Sequence, residues 1–271
     1  MINLSAWQEI DERLFLITPN NTYQNQEKTN DAFSEKWSSY SKEKIDEQEK
    51  LFEFQKKWFL NLYGFKDEKE LAKYLQKCSF ILDAGCGIGY KSSWFASLSP
   101  NSNVIGIDYS SSVNVAHQKY AQKHQNLIFA QGDIADTKLD SSIIDFTVCD
   151  QVIMHTENPR TTLRELSRIT TDFGKVCCYW YKKKALPREL LDDYFRNNVV
   201  NLNNDDLWKL SEEVLKLGKM LSEMKVTANF PSVPSLGIEG GEMDLQRFIY
   251  WNFLKCFWNK ELGFATSLST N

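Results

Sequence analysis

The chain has 271 residues, enough for one sizeable core or for one domain with substantial extensions. Its 42% hydrophobic and 25% charged composition, with few glycines and prolines, is that of a soluble globular protein. A formal net charge of -4 at pH 7 gives no support for nucleic-acid or anionic-membrane binding across the whole surface.

Residues 1–17, MINLSAWQEIDERLFLI, contain acids and lack a basic stretch ahead of a clean apolar core. Neither a signal peptide nor a membrane span is expected there. The six cysteines (Cys78, Cys86, Cys149, Cys177, Cys178, Cys256) form no CxxC pair and no His/Cys ligand spacing, so no metal site is expected. Cys149, Cys177 and Cys178 lie in apolar runs, where a free thiol behaves as a small hydrophobe. A reducing cytoplasm fits this usage.

Three segments are expected: a helical extension over 1–77, an α/β core over 78–184, and a helical cap with the C-terminal segment over 185–271. In the first, LFLI (Leu14 to Ile17) suits a short strand and PNNTYQNQ a loop. Residues 41–64 read as a long helix with Leu51, Phe54, Trp58 and Leu62 on one stripe, stopped by Gly64. Asp67 and Glu70 resemble a capping box ahead of a stripe of Leu71, Tyr74, Leu75 and Cys78. The segment FSEKWSSY, with Phe33, Trp37 and Tyr40, is either a cover over a ligand or packing.

From 78 onward, strands SFILDA, NVIGID, NLIFAQ, IDFTVCD and KVCCYWY alternate with helical patterns KSSWFASLS, SSSVNVAHQKYAQKH, a weak segment near Ile134, and NPRTTLRELSRIT. Short apolar strands separated by helices predict a doubly wound, mostly parallel sheet covered on both faces. His117 and His124 fall on the second of these helices and are expected to face solvent. Beyond Leu186 the pattern is helical, apart from a loop over PSVPSLGIEGGE.

The chemistry concentrates in ILDAGCGIGY, residues 81–90. Glycine gives up the most backbone entropy on ordering, so Gly85, Gly87 and Gly89 at alternate positions imply a close approach of backbone to a ligand. A strand, a glycine turn and a helix form the start of a nucleotide-binding βαβ unit. Asp108 ends the next strand about twenty residues on, where such folds place an acid on ribose hydroxyls. The dinucleotide fingerprint GxGxxG seats a pyrophosphate on the helix N-terminus. Here the pattern is DxGxGxG, and Asp83 is a poor neighbour for a diphosphate but a good one for a cation. S-adenosyl-L-methionine carries an adenosine, an ammonium and a sulfonium without phosphate, which favours this ligand.

With these residues in view, the sequence resembles the class I S-adenosylmethionine-dependent methyltransferases (Rossmann-like fold), of the small-molecule, ubiquinone-biosynthesis-like type. ILDAGCGIG is similar to the family's first motif, NVIGIDYS to the acidic loop after the second strand, and FAQGDIAD to the third. DFTVCDQVIMHTENPRTTLRELSRI is similar to the fourth strand and the following helix. The resemblance implies that Gly85, Gly87 and Gly89 admit the donor's methionine part and that Asp83 reaches its ammonium. It also implies Asp108 on the ribose, Tyr109 against the adenine, and Asp133 with the Ile134 N–H at the adenine edge. Asp150 and Gln151 would then lie near the transferred methyl.

An oxygen or nitrogen acceptor needs a base, and His155 follows the fourth strand at the rim; imidazole titrates near neutrality. Its bland alternative is packing against the donor pocket. Lys182, Lys183 and Lys184 either meet an anionic acceptor or form a solvated loop. The resemblance implies a methyl transfer, and with no basic face or recognisable RNA, DNA or protein-substrate module in the sequence, a small-molecule acceptor and no nucleic-acid partner are expected. Two rivals stay open: a non-catalytic S-adenosylmethionine-binding relative or partner subunit, and an NAD(P)-dependent oxidoreductase. One departure is that the antiparallel hairpin closing the family's sheet has no clear pattern here. Another is that TDFGK offers only Gly174 for the turn before the fifth strand.

Overall fold

Alternation of side chains along each strand organises the fold. In the computed structural model, which describes residues 2–20, 34, 45–199, 202–256 and 258, Ile81 and Leu82 point to opposite faces of one sheet, as do Val104 and Ile105. All four are fully buried, so the strands are covered on both sides.

The sheet has seven strands: β1 (Gln8–Asp11), β2 (Leu14–Leu16), β3 (Phe80–Ala84), β4 (Asn103–Asp108), β5 (Leu127–Gln131), β6 (Ile144–Cys149) and β7 (Thr170–Cys178). Their order is β1-β2-β5-β4-β3-β6-β7, and every pairing except β1 with β2 is parallel. The expected doubly wound sheet is therefore present. One face is packed by α1 (Ile45–Leu62), α2 (Glu68–Leu75), α3 (Tyr90–Leu98) and α4 (Ser112–Tyr120), through Phe59, Leu71, Phe95 and Val113. The other face is packed by α5 (Pro159–Ile169) through Leu166 and Ile169, and by Trp7 and Ile17.

Contacts divide the chain into one unit over Met1–Tyr181 and another over Lys182–Asn271. The N-terminal segment thus contributes two strands to the main sheet as well as helices. β2 pairs in parallel with β5, in register Leu14 with Phe129, which covers an otherwise open edge. The second unit contains α6 (Leu186–Asn198), α7 (Asn204–Glu223), β8 (Thr227–Phe230), β9 (Gly241–Asp244) and α8 (Leu245–Asn252). β8 and β9 form a two-stranded antiparallel sheet of their own and do not join the seven-stranded sheet, so among the described residues no hairpin closes the main sheet beyond β7.

Several local expectations shift. The α1 stripe holds at Leu51, which is buried, but shifts at its C-terminal end: Phe59 is 1% exposed, whereas Leu62 is 41% exposed. Gly64 does end the helix region in a left-handed conformation, φ 74°. Asp67 caps α2 by accepting from the Glu70 N–H at 2.9 Å, while Glu70 reaches back to the Lys66 N–H instead of Asp67. No helix forms near Ile134; that stretch is a turn. β7 starts at Thr170, directly after α5, and the supposed turn TDFGK is a bulge within it. Ile144 pairs with Thr170 but Phe146 with Lys175. No helix among the described residues is long and apolar enough to cross a membrane.

Candidate functional site

The order of the strands reverses at β3, which is followed by β4 on one side and borders β6 on the other. Ligands of open α/β sheets bind outside the carboxyl ends of strands at such a point. Asp83, the glycine turn, Asp108 and Asp150 all lie there.

Gly85, Gly87 and Gly89 adopt φ of 82°, 52° and 76°, conformations that cost an L-residue energy. A Cβ on Gly85 would stand 2.4 Å from the Val152 side chain, and one on Gly89 would stand 2.6 Å from the Ala116 Cβ. The turn is therefore held against the loop after β6 and against α4. Gly89 is also the N-cap of α3.

Asp108 ties β4 to this turn. Its Oδ2 accepts the Gly87 N–H at 2.7 Å, and its Oδ1 accepts from the Ser110 N–H at 2.8 Å and the Ser110 hydroxyl at 2.5 Å. Burial raises its pKa, against the three hydrogen bonds that lower it. The residue stays partly exposed.

Asp83 is fully buried on β3. The Ser92 hydroxyl donates to its Oδ2 at 2.7 Å, while its Oδ1 has no hydrogen-bond partner. Burial raises this pKa too, opposed by Lys91 and by Ser92.

Asp150, 7% exposed, follows β6. Lys91 Nζ lies 2.9 Å from its Oδ2, and the Tyr63 hydroxyl donates to its Oδ1 at 3.0 Å. Burial pushes the Lys91 ammonium toward neutrality, but the Asp150 and Asp83 carboxylates outweigh it and the pKa is raised. Burial and the Asp150 carboxylate raise the Tyr63 phenol well above its ordinary value.

The loops after β4 and β5 lie side by side: Gly132 N–H donates to Asp108 O at 2.9 Å, and Gln131 Nε2 donates to Tyr109 O at 3.3 Å. Asp133 Oδ1 accepts the Ala135 N–H at 2.8 Å, which shapes the turn, and burial raises its pKa. Ile134 is buried beside it. Gln151 is exposed in a left-handed conformation, φ 62°, rare for a residue with a side chain. His155 closes a 3-10 turn, Ile153–His155, and its ring meets that of Tyr181 edge-on at 5.9 Å.

Other expected features fall elsewhere. His124 lies past α4, half-buried, with its Nε2 2.8 Å from Ser93 Oγ, and His117 Nε2 lies 2.7 Å from Glu12 O. Neither is a freely solvated side chain. Within the second unit Lys182 pairs with Glu239, and Lys184 sits 3.5 Å from the Trp251 ring centroid. The FSEKWSSY aromatics lie outside the described residues. No group of three or more His, Cys, Asp or Glu among the described residues is placed to hold a metal ion.

Sequence reading missed Lys91 and Tyr63. A lysine inside the otherwise uncharged helix YKSSWFASL was the available signal for the first. Tyr63 carried none, because its partner is 87 residues away.

The chain is similar in sequence to known methyltransferases. A family described as "Methyltransferase domain" matches residues 75–225. The chain is 30% identical over 116 residues to an uncharacterized methyltransferase of Schizosaccharomyces pombe, covering 40% of this chain and 42% of that protein. It is 28% identical over 125 residues to the demethylmenaquinone methyltransferase of Lactococcus lactis, covering 43% of this chain and 48% of that protein. The match thus spans less than half of either relative. A solved SAM-dependent methyltransferase from Aquifex aeolicus is 21% identical, with a TM-score of 0.36, over 41% of this chain and 61% of that one. With its family match covering more than half of its length, the chain belongs to the methyltransferase-domain family, the class I S-adenosylmethionine-dependent methyltransferases.

Proposed function

We propose that the protein transfers a methyl group from S-adenosylmethionine to a small-molecule acceptor. The observation that carries this reading is the glycine turn with Asp108 bonded to Gly87, at the point where the strand order reverses. The residues present fit the donor. The unpartnered Oδ1 of Asp83 is an acceptor suited to an ammonium, directly or through water, since a buried carboxylate oxygen gains most from a cationic donor. Val152 and Ala116 fill the space where side chains on Gly85 and Gly89 would stand, so the turn is held in one left-handed conformation beside Asp83 and Asp108.

The bound donor supplies a sulfonium carbon already activated for displacement. The protein's part is to bind, orient and exclude water. Asp108 takes the ribose hydroxyls with its exposed edge, Tyr109 lies against the adenine, and Asp133 with the Ile134 N–H takes the adenine edge. Asp150 and Gln151 flank the methyl side, and His155 accepts the acceptor's proton. The absence of a basic excess, together with the demethylmenaquinone methyltransferase relative, supports a small molecule as acceptor. Six free cysteines suit a reducing compartment, and we place the protein in the cytoplasm.

Calorimetric titration with S-adenosylmethionine and S-adenosylhomocysteine, beside Asp108→Ala, tests the reading. Micromolar binding that the variant loses is expected. Absence of binding to the intact chain would overturn it.

A further inference from the structure

Three carboxylates, Asp83, Asp108 and Asp150, lie at the ends of β3, β4 and β6, and the Lys91 ammonium is set beside two of them, Asp150 and Asp83. Lys91 is the second residue of α3, directly after the glycine turn. Its Nζ lies 2.9 Å from Asp150 Oδ2 and 3.5 Å from Asp150 O. The two side chains are 17% and 5% exposed, so water screens the pair little. Asp83 acts on the same ammonium, and Tyr63 holds the other oxygen of Asp150. A buried cation costs several kcal/mol to desolvate and persists only where it is well paired. Its position beside the turn, instead of an apolar side chain, makes the pocket one unit less negative than its carboxylates alone would.

The methyl donor and its demethylated product differ by one positive charge, that of the sulfonium. A fixed charge nearby acts on that difference and leaves the shared adenosine and amino-acid parts alike in the two ligands. We propose that Lys91 and Asp150 together set the discrimination between sulfonium donor and thioether product, with Lys91 lowering the preference for the donor and Asp150 raising it. This rests on the donor reading given above.

The two residues then have opposite signs. Lys91→Met removes the positive charge and leaves Asp150 accepting from the Tyr63 hydroxyl, so the site becomes more negative. Asp150→Asn makes it less negative while keeping a hydrogen-bonding group for Tyr63. At an effective dielectric near 20, a unit charge about 10 Å from the sulfur shifts the affinity ratio by about tenfold, and a closer one by more.

Calorimetric dissociation constants for S-adenosylmethionine and S-adenosylhomocysteine are measured for the intact chain, Lys91→Met, Lys91→Arg, Asp150→Asn and the Lys91→Met/Asp150→Asn double variant. The expected result is a ratio shifted about tenfold toward the donor in Lys91→Met and about tenfold toward the product in Asp150→Asn. Lys91→Arg and the double variant should stay within about threefold of the intact chain. A merely structural pair would weaken both ligands by a common factor in each single variant, and that outcome overturns the proposal. If Lys91→Met melts below the assay temperature, Asp150→Asn carries the test alone: a shift toward the product supports the proposal and an unchanged ratio overturns it. Failure of the intact chain to bind either ligand would instead remove the donor reading beneath it.

Discussion

The carboxylate of Asp108 accepts the backbone N–H of Gly87 at 2.7 Å, so the end of one strand fixes the turn that follows its neighbour. A turn held from two sides cannot relax to admit a side chain. Gly85 combines a left-handed φ of 82° with a Cβ position 2.4 Å from Val152, whereas Gly64, at φ 74°, has nothing within 4 Å.

Gly85→Ala should therefore lose about 2–5 kcal/mol, from backbone strain plus overpacking. Gly64→Ala should lose about 1–2 kcal/mol from strain alone. Urea unfolding of the two variants checks the difference. Equal losses would mean that Val152 moves aside freely.

The shifted stripe of α1 makes a second prediction. Phe59 packs against the rings of Trp94 and Phe95 at 5.6 and 5.5 Å, while Leu62 is 41% exposed. Phe59→Ala is expected to cost about 3–5 kcal/mol and Leu62→Ala about 0.5 kcal/mol. Thermal melts of both variants decide the matter. A larger loss at Leu62 would restore the stripe expected from periodicity.

The third concerns acid. Glu165 accepts from Thr137 N–H at 3.0 Å, Thr137 Oγ1 at 2.5 Å, and Arg168 Nε and Nη2 at 2.7 and 2.8 Å. Burial pushes its pKa up, but the Arg168 and Thr137 bonds outweigh that and hold it below the ordinary value. A depressed folded-state pKa stabilises the fold above the unfolded value, about 4.3, and the gain is lost as pH falls through the folded value. Glu165→Gln should cost about 1–3 kcal/mol at pH 7, and its gap from the natural chain should narrow below about pH 4. Denaturant titrations at pH 7 and pH 3.5 measure this. A gap that widens in acid would reverse the assigned sign.

The legible parts of the molecule are those whose instructions are local. FILDA and NVIGID read as buried strands because each is an apolar run bounded by turn residues, and they pair in register Ile81 with Val104. The glycine turn was legible because its positive φ values demand a residue without Cβ, and Asp67 because a cap needs a short acceptor at one position. The parallel addition of β2 to β5 was not legible, since three residues carry too little pattern to name a partner over a hundred positions away. Nor was the bulge at Gly174, which depends on how β7 meets β6.

The sequence by itself determined the strands and most of the helices of the α/β core, and the glycine turn after β3, because spacing and backbone conformation are local properties. Only the tertiary structure decided that Lys91, Tyr63 and Asp150 meet, and that Phe59 rather than Leu62 is buried. Burial and charge pairing depend on which distant residue occupies the other side of the contact, and no window of sequence contains both sides.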